Sequence, residues 1–251
     1  MDKKRFEESE FPYEVLSQFG LTSEMIEDLP VRVLNDIQNG KRTPVLPVSV
    51  TDDDGSIIKS RARFSLIRKD NGTVDVLFYP ELLHADLEKF DEKQRESLLA
   101  GKSIVASVED KQGKMVTSYV QIDRETNQVL SVPFQVIGRN LQNISEDIGL
   151  NAAEQNSLQK GEVVTFSKED EEPISVGIDL HDHTGIRFSP GDEKQWREQT
   201  KREWDKYTFG AFGCWVMDDE GNLDYIAEDD YTDELWNEQK KQGVRAIQHN
   251  R

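Results

Sequence analysis

The chain has few of the residues on which several common protein functions depend. Cys214 is the only cysteine among 251 residues, so the chain forms no intrachain disulfide and no metal cage built of thiolates. No apolar run approaches the roughly 18 residues that a membrane-spanning helix needs. The charged amino terminus is not followed by the apolar stretch of a secretion signal. We therefore expect a cytoplasmic protein without a membrane segment.

Positive charge is also scarce. The sequence has 31 Lys and Arg against 49 Asp and Glu, and the resulting net charge of −18 repels nucleic-acid phosphates unless the basic groups are segregated. The most basic stretch alternates with small or apolar residues, as the faces of a strand do. A solvated strand face is the favoured interpretation, and nucleic-acid binding is the alternative. The stretch runs from Lys59 to Lys69, and the residues that would contact nucleic acid are Arg61, Arg63, Arg68 and Lys69.

The sequence motifs of the common enzyme classes are missing as well. The chain has no G-x-S-x-G, no P-loop and no G-x-G-x-x-G. Cys214 lies in the apolar run 212–216, where a thiol is more often buried filler than a reactive thiolate. We therefore expect a protein that is not an enzyme, with no catalytic residue and no cofactor.

What the sequence does contain is a pattern that occurs three times, about sixty residues apart. Residues 90–101 align with residues 150–161 without a gap, and both segments have the pattern of a helix that ends at a glycine. The predicted helix stops are Gly40, Gly101 and Gly161. Two capping boxes are predicted, Asp91 with Gln94 and Asn151 with Glu154.

Three strands are predicted after each glycine, and each copy closes on an X-Pro step. Proline lacks the N–H that a continuing ladder needs, so it ends the last strand of each copy. These prolines are Pro80, Pro133 and Pro190. A unit of about fifty residues has a marginal core, so neighbouring units should pack together. The predicted fold class is α+β, built from tandem helix-plus-three-stranded-antiparallel-meander repeats with a C-terminal hairpin-helix module.

The repeat also predicts the domain organisation. Three helix-meander units are predicted: residues 11–83, which include two extra amino-terminal helices, residues 84–133 and residues 148–190. A flexible amino terminus (1–10) precedes the first unit, and a connector (134–147), which we interpret as a spacer, joins the second unit to the third. An acidic aromatic C-terminal module (191–251) follows the third unit. A helix over 192–206, a hairpin and a last helix from about 232 to 242 are predicted within that module.

The C-terminal module carries the strongest charge asymmetry of the chain. Residues 207–239 contain ten acids interleaved with aromatic residues, and no Lys, Arg or His. Two interpretations remain open: a self-contained cap whose aromatic side chains form its own core, and an acidic surface with aromatic anchors for a basic protein partner. The candidate partner-binding residues are Trp215, Tyr225, Asp229, Asp230 and Trp236.

One histidine cluster is a weak candidate for a metal site. His181 and His183 stand beside Asp179, and imidazole and carboxylate groups both bind metals. The equivalent stretch of the second copy, residues 124–127, is a hairpin turn without histidine. We therefore expect an ordinary turn here and no bound metal.

Two segments resemble known families. Residues 34–48 (LNDIQNGKRTPVLPV) and 61–66 (RARFSL) resemble domain-of-unknown-function family 4099. Gly101-Lys102 together with residues 110–114 (DKQGK) resembles its usual companion, family 3945. Both families are tandem domains of plasmids, conjugative transposons and phages of Bacteroides-type gut bacteria. The resemblance covers about residues 11–195 and carries over no catalytic residue, because its motifs are glycine stops and strand patterns.

The resemblance implies a cytoplasmic accessory protein of a bacterial mobile genetic element. With the acidic aromatic module, it leads us to expect a non-enzymatic protein-binding module whose partner is a protein with a basic surface, rather than nucleic acid or a membrane. Two alternatives remain open. One is an acidic DNA mimic that blocks a host defence enzyme, and the other is a nucleic-acid-binding module that acts in transfer or maintenance of the element.

Overall fold

The computed structural model describes residues 4–110, 112–167, 172–182, 184–198, 205–219 and 222–249. The helices are α1 (Tyr13–Gln18), α2 (Ser23–Glu27), α3 (Val31–Gln38), α4 (Glu92–Leu99), α5 (Phe134–Ile148), α6 (Ala152–Gln159), α7 (Glu193–Glu198) and α8 (Asp233–His249). The strands are β1 (Leu46–Thr51), β2 (Ile57–Arg68), β3 (Val74–Pro80), β4 (Ile104–Glu109), β5 (Met115–Asp123), β6 (Gln128–Pro133), β7 (Val164–Phe166), β8 (Ile174–Ile178), β9 (Ile186–Pro190), β10 (Tyr207–Phe209), β11 (Gly213–Met217) and β12 (Leu223–Ala227).

The strands form four antiparallel meanders. Their orders are β1-β2-β3, β4-β5-β6, β7-β8-β9 and β10-β11-β12, and each sheet is preceded by helices. The predicted α+β class is therefore confirmed. Among the described residues, no helix is both long enough and apolar enough to cross a membrane.

The capping boxes, glycine helix stops and closing prolines that the repeat predicts are present in the structure. Asp91 Oδ1 accepts a hydrogen bond from Gln94 N at 2.8 Å, and Gln94 Oε1 accepts one from Asp91 N at 3.1 Å. Asn151 and Glu154 make the same reciprocal pair at 3.0 and 2.8 Å. The three glycine stops Gly40, Gly101 and Gly161 have φ values of 74°, 77° and 83°. The last strand of each copy ends on its proline.

The chain divides into two compact units. The first contains residues 1–80 and 203–251. Helices α1–α3 pack their apolar side chains against β1 and β2, and Trp215 and Leu223 of the C-terminal sheet lie in the same core. The C-terminal sheet therefore shares the core of the first helix-meander copy.

The second unit contains residues 81–202, and its main core joins the second and third copies. Tyr119 of β5 and Val176 of β8 are both fully buried in this core. Residues 134–147, which we interpret from the sequence as a spacer, form most of helix α5. Ile137 and Leu141 of that helix are buried between the two copies' sheets, so the segment contributes to the core. The apolar positions 137, 141, 144 and 148 already have helical spacing.

Candidate partner-binding surface

The five candidate residues of the C-terminal module lie in two different environments. Trp215 is fully buried and donates a hydrogen bond from Nε1 to Met25 O at 3.0 Å. Tyr225 packs edge-on against Trp215, with 5.2 Å between the ring centroids. Asp229 and Asp230 are exposed, and the side chain of Trp236 is 37% exposed. Trp215 and Tyr225 therefore belong to the core, and the other three lie at the surface.

A buried carboxylate that sequence reasoning missed holds the C-terminal sheet on the amino-terminal helices. Asp28 follows α2 and is 5% exposed. It accepts hydrogen bonds from Ala211 N at 2.6 Å, from Phe212 N at 3.0 Å and from the Tyr225 hydroxyl at 2.5 Å. A Cβ atom on Gly210 would lie 2.1 Å from this carboxylate, so the turn needs glycine at that position. Asp28 and Ala211 are 183 positions apart, so no local sequence pattern predicts their hydrogen bond.

Two side chains near this contact, Tyr225 and Cys214, stay neutral at neutral pH. Burial, followed by the hydrogen bond to Asp28, raises the pKa of Tyr225 well above its ordinary value. Burial raises the pKa of the Cys214 thiol to about 11. Because the thiolate is the reactive form of cysteine, a thiol with such a pKa is a poor nucleophile at neutral pH.

Four aromatic rings of the C-terminal sheet, the segment after it and helix α8 lie together. This aromatic patch consists of Tyr207, Phe209, Tyr231 and Trp236, all half-buried or exposed. The ring centroids are 6.2 Å apart for Tyr207 and Phe209, 5.9 Å for Phe209 and Tyr231, and 5.1 Å for Tyr231 and Trp236. The last two pairs meet edge to face, at 72° and 67°. Large amphipathic rings are a residue type that is enriched at protein interfaces.

Carboxylates surround the aromatic patch along one short segment of chain. This acidic rim consists of Glu228, Asp229, Asp230, Asp233 and Glu234, all exposed. Asp233 and Glu234 are in the first turn of α8, where the helix dipole favours negative charge. Within the described part of the chain, the carboxylates of Asp229 and Asp230 have no hydrogen-bond or ion-pair partner. Their negative charge is therefore not neutralised by the described part of the chain.

Tyr207 of the aromatic patch contacts two charged side chains. The Tyr207 hydroxyl donates to Glu234 Oε1 at 3.4 Å, so rim and patch are neighbours. The Lys206 Nζ lies 5.4 Å from the centroid of the Tyr207 ring, a cation–π geometry. Burial, with the negative charges of Glu228 and Asp28 among its further causes, raises the pKa of Tyr231 far above its ordinary range. The patch therefore borders carboxylates on the side of Glu228 and Glu234 and one ammonium group, that of Lys206.

The histidine turn is built like the equivalent turn of the second copy. Asp179 Oδ1 accepts from His181 N at 3.0 Å, as Asp123 Oδ1 accepts from Glu125 N at 3.1 Å. Asp179 Oδ2 also accepts from Arg187 Nε at 2.6 Å. His183 lies outside the described residues. In the portions that the structure describes, no three His, Cys, Asp or Glu side chains are grouped so that they could hold a metal ion.

The four basic residues that the nucleic-acid alternative requires, in β2 and directly after it, all have partners within the first unit. Arg61 pairs with Asp224 at 3.2 Å, Arg68 with Glu10 at 2.9 Å, and Lys69 with Asp75 at 2.5 Å. Arg63 is buried and donates to Thr43 O at 2.9 Å. The ion pair between Arg61 and Asp224 adds to the contacts that hold β12 near β1 in the first unit.

The first helix-meander copy is similar to a known protein family. Residues 6–89 match the model of the family described as "Protein of unknown function (DUF4099)". The match contains α1–α3 and the sheet β1-β2-β3, and it confirms the resemblance to family 4099. The resemblance of the second copy to family 3945 stays a prediction. No curated protein and no solved structure matches the chain.

Proposed function

We propose that this protein is a non-enzymatic protein-binding module. The aromatic patch and its acidic rim bind a basic segment of a protein partner. The observation that carries the proposal is the combination of four clustered, solvent-accessible aromatic rings with a rim of exposed carboxylates. We further propose that the protein is encoded by a bacterial mobile genetic element and acts in the cytoplasm, and this part of the proposal rests on the family resemblance.

The two parts of the surface have different roles in this proposal. Tyrosine and tryptophan dominate the energy of protein interfaces because they bury large rigid rings at low cost in conformational entropy. Carboxylates at the rim of an interface mainly speed association and select partners of opposite charge. Residues 207–239 contain ten acids and no basic residue, so the charge of a basic partner is attracted along the whole segment.

Affinity capture with matched baits tests the proposal. The full chain is compared with Trp236→Ala, with Asp229→Asn/Asp230→Asn, and with a control, Asp53→Asn/Asp70→Asn. The control removes the same charge from two exposed acids in turns of the first unit. We expect the wild type and the control to capture the same basic protein, and both surface variants to lose it.

Two outcomes contradict the proposal. One is a partner that all four baits retain equally, because its binding site then lies elsewhere. The other is a captured nuclease or methyltransferase that duplex DNA displaces from the wild type, since this result supports the DNA-mimic alternative.

A further inference from the structure

A groove in the second unit gathers residues that are far apart in the sequence. It has a volume of about 640 Å³ and is partly open to solvent. Helix α4 and residues 102–105 of the second copy line it, together with residues 160–163 of the third copy and two residues of α7. The groove lies where the second copy meets the third.

The charge of this groove is opposite to that of the chain as a whole. Lys93, Lys102 and Lys160 line it, and none of them has an ion-pair partner in the described portions of the chain. Of the two acids in the lining, Glu193 pairs with Arg197 at 2.6 Å, so only Glu162 opposes the three lysines. The groove therefore has an excess of positive charge in a protein of net charge −18.

The lysine after the glycine stop has a carboxylate partner in the first copy of the repeat but, among the described residues, not in the second. In the first copy Lys41 follows the glycine stop, and its Nζ pairs with Asp36 Oδ1 at 3.2 Å. Lys102 occupies the same position in the second copy, because Lys102 N donates to Ser97 O at 3.0 Å as Lys41 N donates to Asp36 O at 2.9 Å. The second copy thus keeps the lysine and replaces its carboxylate partner by the hydroxyl of Ser97.

We propose that the groove binds a phosphate monoester, whose phosphoryl group lies beside Ser97 and Lys102 where the first copy has a carboxylate. Lys93 lies one helical turn before Ser97 on α4, so the two side chains share a face of that helix. Lys160 brings a further ammonium group from the third copy. A phosphate monoester carries a charge of about −1.5 to −2 at pH 7, which suits several lysines better than the single charge of a carboxylate.

The remainder of the ligand lies against the apolar part of the lining. Ile104 and Val163 are half-buried in the groove, and Val105 is 37% exposed there. The groove therefore offers one polar end for a phosphoryl group and an apolar surface for a small organic substituent. This proposal is independent of the aromatic patch, which belongs to the other compact unit.

Titration calorimetry of the full chain tests the proposal, with glycerol 3-phosphate, inorganic phosphate and acetate as probes at constant ionic strength. We expect both phosphates to bind saturably to the wild type and acetate to bind at least about tenfold more weakly, since it carries less charge. Lys102→Gln should weaken phosphate binding by about tenfold or more. Ser97→Asp should abolish it, because the new carboxylate recreates the ion pair of the first copy.

The matched control is Lys114→Gln, which removes an exposed lysine from the β4–β5 turn of the same unit. It should bind phosphate as the wild type does, and circular dichroism should show that all three variants are folded. Equal affinity in the wild type, Lys102→Gln and Ser97→Asp would overturn the proposal. So would acetate binding as tight as phosphate binding, or no saturable binding of either phosphate by the wild type.

Discussion

The hydroxyl of Tyr225 donates a hydrogen bond of 2.5 Å to the carboxylate of Asp28, which lies 197 positions earlier in the chain. The same carboxylate accepts from the backbone of the turn between β10 and β11. Asp28 thus fixes both the turn and the last strand of the C-terminal sheet on the amino-terminal helices. The aromatic patch extends from this anchored sheet, so the anchor determines where the proposed interface is presented.

Asp28→Ala should lower the free energy of unfolding of the first unit by about 2 kcal/mol, because it leaves two partly buried backbone N–H groups and the Tyr225 hydroxyl without their acceptor. Urea unfolding followed by tryptophan fluorescence measures the change. The control Asp53→Ala removes an exposed acid and should stay within about 0.5 kcal/mol of the wild type. Equal stability of the two variants would show that the Asp28 contact does not hold the sheet.

Trp215→Ala and Trp236→Ala should differ strongly in stability. Trp215 is fully buried in the core of the first unit, so its truncation should cost about 4 kcal/mol. Trp236 is 37% exposed, and its truncation should cost about 1 kcal/mol or less. Urea unfolding of the two variants measures the difference. A large loss in Trp236→Ala would mean that this ring supports the fold and that its binding role needs separate proof.

The second unit should lose stability at high pH because of Tyr119. This side chain is fully buried and donates to Gln159 O at 2.8 Å, and burial raises its pKa to about 12. An unfolded tyrosine ionises near pH 10, so the unfolded chain releases the proton first. The stabilisation is therefore fully present below about pH 10 and is lost as the pH rises towards 12.

Hydrogen exchange in β5 as a function of pH measures this loss, and Tyr119→Phe is the matched variant. Tyr119 is the only tyrosine of residues 81–202, so no second phenol complicates the titration of this unit. The variant should lack the decline between about pH 10 and 12 that burial of the phenol causes. An identical decline in both proteins would assign it to other groups.

Alanine substitutions at Gly149 and Gly161 distinguish the cost of backbone strain from the cost of a steric clash between the copies. A Cβ atom on Gly161 would lie 2.7 Å from Ser103 O, whereas a Cβ atom on Gly149 would have no neighbour within 4 Å. Both have positive φ, 83° and 73°. Gly149→Ala should therefore cost about 1 kcal/mol, and Gly161→Ala about 2–3 kcal/mol. Urea unfolding of both variants tests the difference, and equal costs would contradict the contact between the copies.

Local features of this fold could be read from the sequence because their chemistry is local. The capping boxes at Asp91 and Asn151 involve residues three positions apart, and the glycine stops depend on one residue's backbone angle. The closing prolines end strands for the same kind of reason. The apolar residues of helix α5 also have helical spacing, but its position between two copies of the repeat favours a spacer.

Long-range features could not be predicted in this way. Whether Trp215 is core or surface depends on neighbours such as Met25, 190 positions away, and nothing in residues 207–239 identifies them. The lysines of the groove are equally hidden, because Lys93 and Lys160 come together only when two copies of the repeat pack. The acids around the aromatic patch lie within seven residues of one another, so their clustering is visible in the sequence.

The most direct test of the protein-binding proposal is the dissociation constant of the captured basic protein for four forms of the full chain. These are the wild type, Trp236→Ala, Asp229→Asn/Asp230→Asn and the control Asp53→Asn/Asp70→Asn. Calorimetry at low and at physiological salt should show at least about tenfold weaker binding for Trp236→Ala, weaker binding for the acidic variant with the larger difference at low salt, and no change for the control. Equal affinity of all four forms at both salt concentrations would contradict the proposal.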